Sequence, residues 1–229
     1  GKNMTYFRES VAILREIEET LKRVGPEKFF SSTDEKVKKV RESMAGLFFL
    51  FALQSGTGDF LFLMQPEKDP PDFIALTIGD HVDSMSVNMV ELVEIPPRCN
   101  SFEEANEIVQ KKIDKGYPKD YHLLIFINNK KSKEWLPSLK DKLKDQASFR
   151  SIWSLHLLVD KGDWFPVLNR LEPRPIVHFE TRIGDLRFPS RLPDFMEQVN
   201  KDGNNIVRFR DEFMKAFMKK IRMSKLGNK

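Results

Sequence analysis

The chain has 229 residues, 40% of them hydrophobic and 31% charged, so it is a globular protein with a well-charged surface, large enough for one large domain or for one domain plus an extension. A net charge of +4 favours an anionic partner only mildly, and the single cysteine, Cys99, excludes an intrachain disulfide and suits a reducing compartment. The longest apolar run, residues 44–53, is about half of what a membrane span needs, and no secretory signal is read at the start, so a soluble, cytoplasmic protein with no membrane partner is expected.

In chain order, residues 5–24 read as an amphipathic helix, with Phe7, Val11, Leu14, Ile17, Leu21 and Val24 at helical spacing and Gly25-Pro26 ending it. Ser32 and Glu35 suggest a capping box for a second helix. Its stripe is Val37, Val40, Met44, Leu47, Phe48 and Phe51, and its second half is apolar all round, which implies central burial. Residues 60–64 read as a short strand. Residues 73–78 form the next strand-like run, opened by Pro70-Pro71-Asp72 and closed by Gly79-Asp80. A further strand, residues 87–95, is stopped by Pro96-Pro97.

That last strand is almost wholly apolar, yet it carries Glu91 and Glu94. The period of two puts Glu91 on one face with Val87, Met89, Val93 and Ile95. A carboxylate in the middle of an apolar face is costly unless it is paired or binds a metal. Glu94 falls on the opposite face, where a lysine on a flanking helix is its expected partner. Ser101 caps a helix through Phe102, Ala105, Val109, Lys112 and Ile113, stopped by Gly116 and Pro118. Residues 121–127 are a continuous apolar run, expected as a buried strand parallel to its neighbour because a helix connects the two. A short helix over residues 133–146 and a strand over 151–159 follow.

After Lys161 prolines punctuate short segments, including residues 176–180, and an irregular extension with room for a hairpin is expected. Residues 205–225 read as a closing helix. Ile206, Phe209, Phe213, Phe217 and Ile221 form its apolar side, and Arg208, Arg210, Lys215, Lys219, Lys220 and Arg222 make it strongly basic. The expected class is therefore α/β, a mixed central sheet flanked by helices, with residues 1–160 as the core and 161–229 as an irregular and helical C-terminal extension.

Pro71-Asp72 at a strand start, followed about twenty positions on by an acidic residue in the next hydrophobic strand, Glu91-Leu92-Val93, resembles the PD-(D/E)xK nuclease superfamily, the restriction-endonuclease-like fold. The similarity covers about the first 130 to 160 residues. Val93 stands where the family's lysine belongs. The resemblance implies a metal-dependent nuclease-like protein hydrolysing DNA phosphodiester bonds. In that reading Asp72 and Glu91 hold Mg²⁺ or Mn²⁺, the Leu92 carbonyl completes the metal site, and Glu42 on the preceding helix assists. The bland alternatives make Asp72 a turn residue, give Glu91 an ordinary salt bridge and leave Glu42 on the solvated surface. DNA is the implied partner, and relatives of this fold often work as homodimers.

With Val93 in place of the lysine, a lysine from the next helix is the candidate substitute, and some branches of the superfamily have such a migrated lysine. Phe102, Ala105, Val109 and Lys112 recur along one helical face, so Lys112 is the member of the Lys111, Lys112, Lys115 group best aligned with the sheet. Its alternative role is to snorkel at the edge of the buried stripe. If no lysine reaches the acidic pair, the alternative function is a catalytically inactive nuclease-fold module that binds nucleic acid or a protein partner. His81, His122, His156 and His178 show no ligand spacing, and Cys99 has no CxxC partner, so a zinc site is not expected. Trp135, Trp153 and Trp164 are expected to be packing residues.

Overall fold

A computed structural model describes residues 6–54, 59–66, 70–146, 148–161, 163–173, 178–180, 182, 185 and 191–226. The chain is α/β. Its strands are β1 (Tyr6–Glu9), β2 (Phe60–Met64), β3 (Phe73–Ile78), β4 (Ser86–Ile95), β5 (His122–Ile127), β6 (Ser151–Asp160), β7 (Asp163–Glu172), β8 (His178–Glu180), β9 (Met196–Lys201) and β10 (Asn204–Phe209). The helices are α1 (Ser10–Val24), α2 (Pro26–Ser31), α3 (Glu35–Leu53), α4 (Phe102–Asp114), α5 (Ser132–Lys142) and α6 (Asp211–Leu226), with a 3₁₀ turn at Val82–Ser84. The described strands form a ten-stranded sheet in the order β8-β7-β6-β5-β4-β3-β2-β1-β10-β9. β4, β5 and β6 run parallel, joined by α4 and α5, and the remaining pairs are antiparallel. No helix among the described residues is long and apolar enough to cross a membrane.

Strand alternation sorts the interior into two layers. Along β4, Met89, Val93 and Ile95 pack with α4, α5 and α6 residues such as Val109, Leu139 and Phe217. Val90 and Leu92 face the other way, with Ile17 of α1, Phe29 of α2 and Phe48 of α3. α3 is buried on every side over its second half, from Ser43 to Phe51, as its uniform apolarity requires. A Cβ on Gly46 would lie 3.0 Å from both Leu63 methyls, so glycine here lets α3 sit close on β2.

Several expected elements are corrected. The first helix begins at Ser10; Tyr6–Glu9 is a strand instead, because β10 and β2 both offer it ladder partners. Phe7 thereby enters an aromatic cluster with Phe62, Phe209 and Phe217. α3 is capped by Asp34, whose carboxylate accepts from the Lys36 and Val37 amides at 3.0 and 3.2 Å. Ser32 instead accepts from the Asp34 amide, and Glu35 is the first helical residue rather than a capping partner. Glu94 pairs with an arginine and not a lysine: Arg41 of α3 meets it at 2.8 and 3.1 Å and also donates to the Phe29 and Ser32 carbonyls.

The segment after Lys161 carries more regular structure than its prolines imply. β7 pairs along nearly the whole of β6, and β9 and β10 form a hairpin that extends the sheet beyond β1. Residues 176 and 177 lie outside the described residues. The closing helix starts at Asp211, and Ile206 and Phe209 belong to β10. Its apolar side still packs inward through Phe213, Phe217 and Ile221, leaving Lys215, Lys219, Lys220 and Arg222 exposed. Trp135 and Trp153 are buried and Trp164 is partly so, all three in packing contacts.

Candidate functional site

Sheet register builds the centre of the site. Phe73 of β3 pairs with Val90 of β4 in antiparallel register, so the next pair outward is Asp72 beside Glu91. Cross-strand neighbours share a face. The Asp72 carboxylate is fixed there by the Leu92 amide, which donates to Oδ2 at 2.7 Å. Glu91 lies on the α4 side of β4, as the period of two requires.

α4 delivers the third member. Ser101 caps the helix by accepting from the Glu104 amide at 3.1 Å. Ala105, Val109 and Ile113 are its buried face, and Lys112 lies beside Val109 on the same side. The Lys112 Nζ is 2.8 Å from Asp72 Oδ2 and 2.6 Å from Glu91 Oε2. Three residues from a loop end, a strand and a helix thus converge, with two negative charges and one positive.

The cluster is graded from interior to surface. The Glu91 side chain is 2% exposed, Lys112 15% and Asp72 29%. Burial, with Asp72 repulsion adding, pushes the Glu91 carboxyl up to about 7 against the opposing pull of Lys112. Burial disfavours the Lys112 charge, but hydrogen bonds and attraction from both carboxylates outweigh it and raise this lysine above its usual range. Glu91 Oε1 is buried and has no hydrogen-bond partner among the described residues. A buried carboxylate oxygen in that state is free to accept a bond from a water or a cation.

Tyr117 completes the surroundings and was not legible as a site residue. Gly116 ends α4 at φ 73, a left-handed conformation that turns the chain back on the helix end. The Tyr117 ring then lies beneath Lys112, whose Nζ is 5.6 Å from the ring centroid. Tyr121 and Phe149 hold that ring at centroid distances of 6.3 and 5.8 Å. The only sequence signal was an aromatic residue one place beyond a helix-ending glycine.

Comparison of the chain with protein-family models, curated proteins and solved structures found no match. Any functional reading therefore rests on the site itself.

Glu42 is not drawn into the cluster. It pairs with Lys38 at 3.9 Å on α3, and its carboxyl is raised by burial, with Lys38 opposing and Asp72 and Glu94 adding to the rise. Leu92 contributes its amide to Asp72, an arrangement the sequence did not specify. Val93 is buried among apolar side chains, away from any polar role. Among the described residues no three His, Cys, Asp or Glu side chains group to hold a metal ion. Mg²⁺ commonly takes only one or two protein carboxylates, filling its shell with water and substrate oxygens, so Asp72 and Glu91 with their unpartnered oxygen fit such an ion.

Proposed function

We propose that Asp72, Glu91 and Lys112 are the working centre of a restriction-endonuclease-like domain that hydrolyses DNA phosphodiester bonds with Mg²⁺ or Mn²⁺. The observation that carries this reading is the Lys112 ammonium within 2.8 Å of both carboxylates, although the strand position for such a lysine is Val93. The order α3, β2, β3, β4, α4, β5, with β3 and β4 antiparallel and β4 and β5 parallel, supports the finer reading of the fold.

Asp72 and Glu91 would hold the ion, with the Leu92 carbonyl as a further oxygen ligand. The bound ion would supply Lewis acidity and activate water. The Leu92 amide fixes the Asp72 carboxylate so that one rotamer faces the site. Burial keeps Glu91 in a dry setting where charge interactions are strong. Lys112 brings a positive charge to the place where an attacking oxygen and a phosphate would develop negative charge. Glu42 feels the charge of Asp72 and serves only as an outer electrostatic member.

A second reading is an inactive module that keeps the fold and binds nucleic acid or a protein. The same ammonium favours it, because an internal ion pair already offsets part of the carboxylate charge without any metal. Cleavage of duplex and single-stranded DNA with millimolar Mg²⁺ or Mn²⁺ separates the two. The nuclease reading expects metal-dependent cleavage that Asp72→Asn, Glu91→Gln and Lys112→Ala each abolish and Lys111→Ala spares. Salt-sensitive DNA binding with no cleavage selects the inactive module. A protein that neither cleaves nor binds a divalent cation at millimolar metal sinks the nuclease reading.

A further inference from the structure

The Lys112 ammonium is positioned as a resident cation. Its nitrogen is 2.8 Å from Asp72 Oδ2 and 2.6 Å from Glu91 Oε2, so it takes the space between the two carboxylates. A hard divalent cation bound by the same two residues sits about 2 Å from its ligand oxygens. The ion and the ammonium therefore compete for one space, and two positive charges that close repel strongly in a site this buried. An ion that bridges Asp72 Oδ2 and Glu91 Oε2 therefore requires the ammonium to move.

Its surroundings offer a place to go. The Tyr117 ring centroid is 5.6 Å from Nζ, within the range at which an aromatic face attracts a cation. The ring is held by Tyr121 and Phe149, and by the chain reversal at Gly116, so it stays in place when the lysine moves. A lysine stem has four rotatable carbons, enough to shift its head while its root stays on α4.

We propose that Tyr117 is a positioning residue of this centre: its ring face is the second berth of the Lys112 ammonium when a divalent cation takes the space between Asp72 and Glu91. The proposal rests on the metal-binding reading above and adds a residue that acts through Lys112, not on the metal. Ring and hydroxyl both bear on the ammonium: burial raises the Tyr117 hydroxyl above its usual range, and Lys112 opposes that rise by its charge and a hydrogen bond.

Calorimetric titration with Mn²⁺ of the wild type, Lys112→Met, Tyr117→Phe, Tyr117→Leu and the Lys112→Met/Tyr117→Leu double variant tests it. Lys112→Met should bind at least about tenfold more tightly, because the internal competitor is gone. Tyr117→Leu should bind about fivefold more weakly than the wild type, and Tyr117→Phe, which keeps the ring and loses the hydroxyl, should fall between the two. In the Lys112→Met background the Tyr117→Leu loss should vanish, which a merely structural tyrosine would not produce. A second readout needs no substitution: Mg²⁺ added to the wild type should move the Lys112 ε-methylene proton resonances upfield through the Tyr117 ring current. Equal weakening by Tyr117→Leu in both backgrounds, or unmoved Lys112 resonances in the Mg²⁺-saturated protein, overturns the berth and leaves the metal site standing. Absence of cation binding in every form overturns both.

Discussion

Glu91 and Lys112 meet at 2.6 Å with side chains only 2% and 15% exposed, and Asp72 shares the same ammonium. One cation thus serves two carboxylates. Removing one partner of a buried ion pair is costly because the other charge remains desolvated. Lys112→Ala should therefore destabilise the protein by about 3 to 5 kcal/mol at pH 7.5, read as a lower urea midpoint. At pH 5 the loss should be smaller, since Glu91 can then take up a proton. An equal loss at both pH values would mean that packing of the lysine stem, not charge, is what Lys112 contributes.

A separate polar network gives the fold an acid-sensitive element. His122 of β5 lies on the opposite side of the sheet from Lys112, against Phe49. Its Nε2 is 3.1 Å from Asn88 Oδ1 and its Nδ1 is 2.5 Å from Ser151 Oγ. The Trp153 indole N–H donates to that same hydroxyl oxygen at 2.7 Å, so the Ser151 hydrogen is directed to Nδ1. The network thus fits a neutral ring with its proton on Nε2. Burial, with Arg150 adding, lowers the His122 pKa to about 4.

The two buried titrating groups act in opposite senses. A histidine lowered from 6.5 to about 4 makes the unfolded state the better proton binder between those values, so its contribution to stability is lost as pH falls. That contribution is on the order of 3 kcal/mol. Glu91, raised from 4.5 to about 7, makes the folded state the better binder, so its contribution is lost as pH rises through that range. The two slopes nearly cancel between about pH 4.5 and 6.5. Glu91→Gln should expose the histidine term, giving a protein that weakens steadily as pH drops from 7 to 5. His122→Gln should weaken in the other direction, as pH rises. Urea midpoints at pH 5, 6 and 7 check both signs, and parallel profiles for the two variants would exclude this account.

Arg41 allows a third test. Its side chain is 4% exposed and donates to Glu94 and to two backbone carbonyls, while Asn128 donates to the Phe30 carbonyl close by. A lysine has one point charge and cannot reproduce the planar fork. Arg41→Lys should cost about 2 kcal/mol and loosen α2, seen as faster amide exchange over Pro26–Ser31. Unchanged exchange there would show that α2 is held by Phe29 packing alone.

The readable parts of this protein were those in which a single period decided the matter. The alternation through residues 87–95 put Glu91 and Glu94 on opposite faces of β4, and their partners come from α4 and α3 on opposite sides of the sheet. The helical face through Ala105 and Val109 carried Lys112 to the sheet. The errors came where local pattern and tertiary pairing disagreed. Tyr6–Glu9 fits a helical stripe as well as a strand, and only the presence of β2 and β10 decides between them. Residues 205–209 read as part of a helix by their apolar spacing. Yet Asp202-Gly203, with φ values of 54 and 80, forms a two-residue hairpin loop joining Lys201 to Asn204. That Asp-Gly pair is a strong hairpin signal and outweighs the apolar spacing behind it. Arg41 had no readable signal and Tyr117 only its place after a helix-ending glycine, because each acquires its role from a partner far away in sequence or across a turn.

The last prediction concerns α6. Phe217 and Ile221 are fully buried, while Lys215, Lys219, Lys220 and Arg222 are exposed. No acidic residue follows Glu212, so every charged side chain of α6 from Lys215 on is positive, with the exposed Met223 among them. Part of its charge has a local explanation, since cations near a helix C-terminus are favoured by the helix dipole. That effect fades within the last turn and does not account for Lys215. α6 packs on the same layer of the interior as α4, so its basic face and the Lys112 centre lie on one side of the sheet. A duplex engaged by that side would pass its phosphates near these lysines. Affinity for a short DNA duplex should then fall steeply with salt. Replacing Lys215, Lys219 and Lys220 with glutamine should reduce the slope of log K against log salt by about 2 to 3, near 0.9 for each phosphate no longer neutralised. The same replacement should leave the urea midpoint almost unchanged, because exposed substitutions of this kind shift stability by no more than about 0.5 kcal/mol. An unchanged salt slope would exclude α6 from nucleic-acid contact and leave its lysines as a solvated face on a docked helix.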